Sequence, residues 1–143
     1  MTAASRDLAV RIYLNRIDVT DDDFTMPLGT VAAINMMKVD MNNYSQYEKM
    51  ESEIFKPMHQ RDVDNDRRAN WSLLRFMAPY GSDTYASHIT VDMYKDYNQF
   101  FNPPPAPQGS ELSDEQIKQA NEGVATRDMK YTFLATLIKT HKK

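Results

Sequence analysis

Residues 84–94, TYASHITVDMY, alternate more strictly than any other stretch of the chain. Tyr85, Ser87, Ile89, Val91 and Met93 point one way, and Ala86, His88, Thr90, Asp92 and Tyr94 the other. A period of two sustained over this length predicts a β-strand. The two rows differ in chemistry. Ile89, Val91 and Met93 suit a hydrophobic layer, so this row is expected to pack against helices. His88, Thr90 and Asp92 then face the other side of the sheet, where a ligand or a second chain would meet them.

The pattern extends outward from this strand. Upstream, Pro79-Tyr80-Gly81-Ser82-Asp83 reads as a hairpin loop, and residues 69–78, ANWSLLRFMA, as the strand paired through it. Residues 61–68, RDVDNDRR, read as a charged turn. Before them Tyr44, Tyr47, Met50, Glu51, Ile54 and Met58 recur at helical spacing, apolar except for Glu51. That predicts an amphipathic helix, capped by Asn42 or Asn43. Pro57 cannot donate to the carbonyl of Glu53 and is expected to kink or end it. Tyr47, Ile54 and Met58 should lie buried against Ile89, Val91 and Met93.

Residues 31–40, VAAINMMKVD, read as a strand with Val31, Ala33, Asn35, Met37 and Val39 on one face. Downstream, residues 95–101 form a short helix, and residues 102–110 a stiff Pro-rich insertion. Ser113-Asp114-Glu115-Gln116 is a capping box, opening a helix that Gly123 closes. Residues 127–138 alternate as a last strand.

From Val31 onward the order is β-α-β-β-α-β, the ferredoxin-like unit. The expected fold is α+β, an antiparallel sheet with helices on one face. Residues 31–143 make this domain. Residues 1–30 are an N-terminal arm in which LAVRIYLNRI, residues 8–17, alternates as an extra strand. The bare face of such a sheet needs cover. A second copy of the chain would supply it, so the expected assembly is a homodimer in the form of a dimeric α/β barrel.

Composition removes several function classes. With 20 acidic against 17 basic residues the net charge is −3, which argues against a nucleic-acid surface. Arg67-Arg68 and the tail of Lys139, His141, Lys142 and Lys143 are too short to reverse that. The absence of Cys excludes disulfides, thiolate metal sites and thiol nucleophiles. No apolar run approaches the roughly 18 residues of a membrane helix, and no signal-peptide core is present. The opening Met1–Ser5 suits either a native start or the mature form of an exported protein.

The glycines, at 29, 81, 109 and 123, form neither a dinucleotide fingerprint nor a P-loop. Asp62–Asp66 begins like a calcium loop, but Arg67 stands where Gly is needed and Leu73 where Glu is needed. His88 and Asp92 lie ~13 Å apart along a strand, too far to share one ion at bonds of ~2 Å. No metal site is expected. Asn43-Tyr44-Ser45 and Asn70-Trp71-Ser72 fit the glycosylation pattern, yet both fall in or beside regular elements.

The residues Tyr47, Glu51, Lys56-Pro57-Met58-His59-Gln60, Trp71, Gly81-Ser82-Asp83 and Tyr94-Lys95-Asp96 carry a resemblance. In this order they resemble a poorly characterised group of bacterial proteins of dimeric α/β-barrel, ferredoxin-like type. The likeness covers about a third of the chain. It implies the fold and a homodimer, and some of these relatives are exported. The wider superfamily includes cofactor-free quinone-forming monooxygenases, haem-degrading monooxygenases and haem-binding peroxidases, among which fold alone does not choose. Haem-degrading members place an Asn, a Trp and a His around the haem. Asn35, Trp71, His59 and His88 offer those residue types, but the ligating His of those proteins sits on the second helix, and residues 95–101 contain none.

The site candidates follow. His59, just past Pro57, stands at a helix end beside Trp71 and Arg75 and could act as a general base. Trp71 and Arg75 share one strand face ~13 Å apart, so the three should line one elongated cavity. His88 is a second catalytic candidate, and Asn35, Thr90 and Asp92 complete the ligand-facing set. Met, Tyr and Trp suit an apolar or aromatic ligand. Three functions are therefore open. The first is a small-molecule binding protein or cofactor-free enzyme with a pocket in each barrel half. The second is a non-catalytic structural dimer, and the third a haem protein.

Overall fold

In the computed structural model, which describes residues 11–140, five strands form one antiparallel sheet. They are β1 (Tyr13–Val19), β2 (Val31–Val39), β3 (Asn70–Ala78), β4 (His88–Tyr94) and β5 (Arg127–Thr136). The helices are α1 (Tyr44–Met50), α2 (Lys56–Asp64), α3 (Tyr97–Phe101) and α4 (Asp114–Val124). The fold is thus α+β. The strand order is β1-β3-β4-β2-β5. This is not the order of a bare four-stranded ferredoxin-like sheet, because β1 adds an edge outside β3. Residues 8–10 of the expected first strand, and His141–Lys143 of the basic tail, lie outside the described residues. Among the described residues no helix is long and apolar enough to cross a membrane.

The helix around Pro57 departs from expectation. α1 runs into a π-helical turn over Glu51–Phe55, where the Lys56 N–H donates to the Glu51 carbonyl. Pro57 then falls in the first turn of α2, where a missing N–H is tolerated. The helix therefore continues to Asp64, and the charged turn shrinks to its last residues. Asn43 makes no capping bond. Asp40 caps the short turn before it, accepting from the Asn42 N–H. The capping box of α4 forms as its residues predict, with Ser113 and Gln116 bonded both ways. Gly123 does not close that helix. It sits inside it, where any Cβ would collide with the Met50 side chain, and so allows α4 to approach α1.

The main core lies between the helices and one sheet face. Tyr47 and Met50 pack on Met37, Val39, Trp71 and Leu73, with Ile54 and Phe55 half-buried at its border. Tyr47 is buried as expected, whereas Ile54 and Met58 are only half-buried.

The faces of β4 are reversed from expectation. His88, Thr90 and Asp92 lie beneath the helices, and Ile89 and Val91 belong to a second apolar cluster with Met36, Phe76 and Ala86 on the opposite face. The reason lies on the neighbouring strands. Trp71 and Leu73 share the face of Asp92 and Thr90, and this large apolar pair attracts the helices more strongly than Ile89 and Val91. On the opposite face Tyr131 and Phe133 pair with Met36 and Ile34, stack at 5.7 Å and remain half-exposed.

Leu73 is fully buried and Met77 is 61% exposed. Leu73→Ala should cost about 2–5 kcal/mol in denaturant unfolding, and Met77→Ala no more than about 0.5 kcal/mol. Equal losses would place the core elsewhere.

Candidate functional site

Strand register gathers polar groups beneath α1 and α2. On β4, alternation turns Thr90 and Asp92 toward the helices. Asn35 of β2 lies opposite Thr90, and Trp71 of β3 opposite Asp92. Asn35 Nδ2 donates to Asp92 Oδ2 at 2.8 Å and to Thr90 Oγ1 at 3.3 Å. Its Oδ1 accepts from Thr132 Oγ1 at 2.8 Å. The other Asp92 oxygen pairs with Arg68, whose guanidinium also lies over the Tyr94 ring at 5.7 Å. Burial pushes the Asp92 carboxyl up, and Arg68 and Asn35 oppose it. Asp92 is a half-buried carboxylate held on both oxygens.

Glu51 is different. It stands at the start of the π-helical turn and is 3% exposed. Among the described residues no hydrogen bond of normal geometry reaches its carboxylate, and Arg127 Nε approaches only to 3.9 Å. The Tyr47 hydroxyl lies nearby without a hydrogen bond of normal geometry. Burial pushes Glu51 up to about 7, opposed by Tyr47 and Arg127 and aided by Asp92. Arg127 is equally under-used. Its Nε is buried without a partner, and one terminal nitrogen, Nη1, donates to the Met37 sulfur at 3.2 Å.

His59 of α2 stacks on Trp71, with ring centroids 4.8 Å apart and planes 22° from parallel. Burial, then the charge of Arg68, lowers its pKa to about 3, so the ring is neutral at ordinary pH. These residues enclose a cavity of about 180 Å³. Glu51, Arg127, His59, Asn35 and Asp92 contribute its polar wall, while Trp71, Phe55, Met37 and Met129 contribute its apolar one. A larger surface hollow of about 550 Å³ lies against the 79–85 loop. It brings together no acid–base pair.

The cavity joins five of the sequence candidates: Asn35, His59, Trp71, Thr90 and Asp92. The two others sit apart. Arg75 pairs with Glu48 at 3.1 Å rather than entering the cavity. His88 bonds Glu48 through Nε2 and Ser87 through Nδ1, each at 3.0 Å. With Nε2–H donating to Glu48 and the Ser87 hydroxyl donating to Nδ1, the ring stays neutral, as its burial favours. The Ser87–His88–Glu48 chain has the connectivity of a hydrolytic triad. However, Ser87 is 2% exposed, and its Oγ already accepts the Val39 N–H. The edges of Tyr44 and Tyr47 cover the imidazole, so this chain braces the core.

Sequence reasoning missed Glu51 and Arg127 as site residues. Glu51 carried a signal as the one charge on an apolar helix face. Arg127 carried none. The haem reading gains no support from these positions. Both His88 nitrogens are occupied, His59 is stacked on Trp71, and the cavity is below the roughly 300–1,000 Å³ usual for drug-sized ligands. No protein family, curated protein or solved structure gave a match to this chain.

Glu51 and His59 affect stability with opposite signs. Glu51 has a folded pKa of about 7 against an ordinary 4.5, so it contributes stability at low pH that is lost as pH rises through about 7. His59, lowered from 6.5 to about 3, costs stability as pH falls through that range. Comparison with Glu51→Gln isolates the first effect. Between about pH 5 and about pH 8, wild-type stability should fall relative to the variant by up to about 3 kcal/mol. Parallel stability curves would mean that Glu51 titrates normally.

Proposed function

We propose that the cavity beneath α1 and α2 binds a small molecule and that Glu51 exchanges a proton with it. One observation carries this reading: a nearly inaccessible carboxyl lines a cavity with Arg127 at 3.9 Å, too far for a direct hydrogen bond, and the Arg127 Nε is buried without a partner. Structural carboxylates in protein interiors are paired, and neighbouring Asp92 shows that pairing in full. An acid–base group needs free capacity and an affinity for protons near the working pH. Proton transfer of this kind needs no cofactor. The flat His59–Trp71 stack gives the ligand an aromatic wall. A purely structural role for the cluster would leave the Glu51–Arg127 ion pair without a direct hydrogen bond.

Trp71 is the only Trp in the chain, so its fluorescence reports on the cavity alone. Screening a library of small ring compounds should find ligands that change this emission saturably. Glu51→Gln should alter the pH dependence of their binding around neutrality. A library that leaves Trp71 emission unchanged would remove the binding reading.

The opposite sheet face supports a second proposal, on assembly. Without its edge strand β1, the sheet order β3-β4-β2-β5 favours a ferredoxin-like unit. The half-exposed Tyr131 and Phe133 and the partly buried Ile34 and Val91 form an apolar surface on the side away from α1 and α2. A homodimer would cover it, since large exposed apolar patches mark interaction surfaces. Light scattering should then give twice the chain mass, and Phe133→Lys should shift it toward one chain. A wild-type monomer at micromolar concentration rules the dimer out.

A further inference from the structure

We propose that the cavity's ligand is a small planar weak acid, a phenol or enol whose hydroxyl proton passes to Glu51 while Arg127 holds the oxygen anion. This rests on the reading that the cavity binds a ligand and that Glu51 exchanges a proton with it.

The geometry of this loosely paired carboxylate and guanidinium supplies the argument. Glu51 Oε1 and Arg127 Nε are 3.9 Å apart. They are too distant to hydrogen-bond each other but close enough to share a third atom. A ligand oxygen about 2.7 Å from each would close the triangle at charge-assisted hydrogen-bond lengths.

The chemistry of that oxygen is constrained from both sides. A ligand carboxylate would satisfy Arg127 but add a third carboxyl beside Glu51 and Asp92. An amine would satisfy Glu51 but press a cation against Arg127. An ionisable hydroxyl satisfies both. Its O–H bond breaks as an O–H bond forms on Glu51, and the negative charge moves from the carboxylate to the ligand oxygen. The site's total charge is unchanged.

Shape limits the rest of the ligand. About 180 Å³ accommodates one ring rather than a drug-sized body. Trp71, Phe55 and the two methionines, Met37 and Met129, offer that ring apolar contact.

The other groups around Glu51 do not disturb this exchange near neutral pH. Tyr47 from α1 is pushed far up by burial and His59 from α2 far down, so both stay neutral. Asp92 from β4 is paired with Arg68. Glu51, at about 7, is the group facing the cavity that changes charge there.

The test uses 4-nitrophenol, with 4-nitroanisole and 4-nitrobenzoate as comparators, on the full chain by equilibrium dialysis. The visible absorption of the phenolate reports the ionisation of the bound probe. 4-Nitrophenol should bind as phenolate, with an affinity that peaks near neutral pH. On the acid side, binding must expel a proton. On the alkaline side, Glu51 must take one up. Glu51→Gln should still bind the phenolate but lose the alkaline fall, leaving a plateau. Both comparators should bind at least about tenfold more weakly, a difference of ~1.4 kcal/mol.

Arg127→Met should abolish the phenolate absorption of bound probe, and the Glu51→Gln arm decides the matter if that variant does not fold. A probe bound as neutral phenol, or 4-nitroanisole or 4-nitrobenzoate binding as well as 4-nitrophenol, overturns the ligand class and leaves the binding reading intact. So does an unchanged alkaline fall in Glu51→Gln. If none of the three probes binds, the ligand class fails, and the binding reading fails with it only when the Trp71 fluorescence screen is also blank.

Discussion

The helical layer of α1 and α2 rests on a sheet face that is not uniformly apolar. Trp71, Leu73, Met37 and Val39 attract it, yet the same face carries His88, Thr90, Asp92, Asn35 and Arg75. Burying polar groups without partners is expensive, so the helices and neighbouring strands must bring partners with them. Glu48 does this for His88 and Arg75, and Lys56 for Asp18 of β1 at 2.6 Å. Asn35 and Arg68 do it for Asp92. Most of the domain's buried polar architecture follows from that one constraint.

Where the compensation is complete, the result is a brace. The Ser87–His88–Glu48 chain is saturated and sealed by aromatic edges, which is why its triad-like connectivity has no outlet. Where compensation is incomplete, the result is a cavity. Glu51 and Arg127 face each other at a distance that satisfies neither. The π-helical turn that begins at Glu51 belongs to the same region, and such turns inside α-helices are frequent at functional sites. The turn also lets α2 begin at Lys56 with Pro57 in its first turn, which carries His59 onto Trp71. One local change in helical hydrogen bonding thus accommodates a proline and places two walls of the cavity.

The two faces of the sheet divide the remaining roles. The face beneath α1 and α2 holds the polar groups and the cavity. The other holds Met36, Phe76, Ala86 and Ile89 in a smaller cluster and leaves Tyr131 and Phe133 half-exposed. β1 extends the sheet past β3, and its Ile17 packs against the helix-side core, so the added strand belongs to the domain's interior as well as to its edge.

The sequence by itself determined what is local. Period-two alternation located β2, β4 and β5, and Ser113 with Gln116 marked the start of α4, because strand pleat and helix capping depend on near neighbours. It also placed Thr90 and Asp92 on one strand face, and Trp71 beside His59, so much of the cavity wall was legible. Which face the helices cover was decided only by the tertiary structure. Alternation looks the same with either side turned inward, and the choice fell to Trp71 and Leu73 on a neighbouring strand. Tertiary structure also sent Arg75 to Glu48, since an arginine pairs with whichever carboxylate the packed helix presents. It brought Arg127, at the start of the last strand, against Glu51, because β5 pairs with β2 and only that long-range register carries the two charges into one cavity.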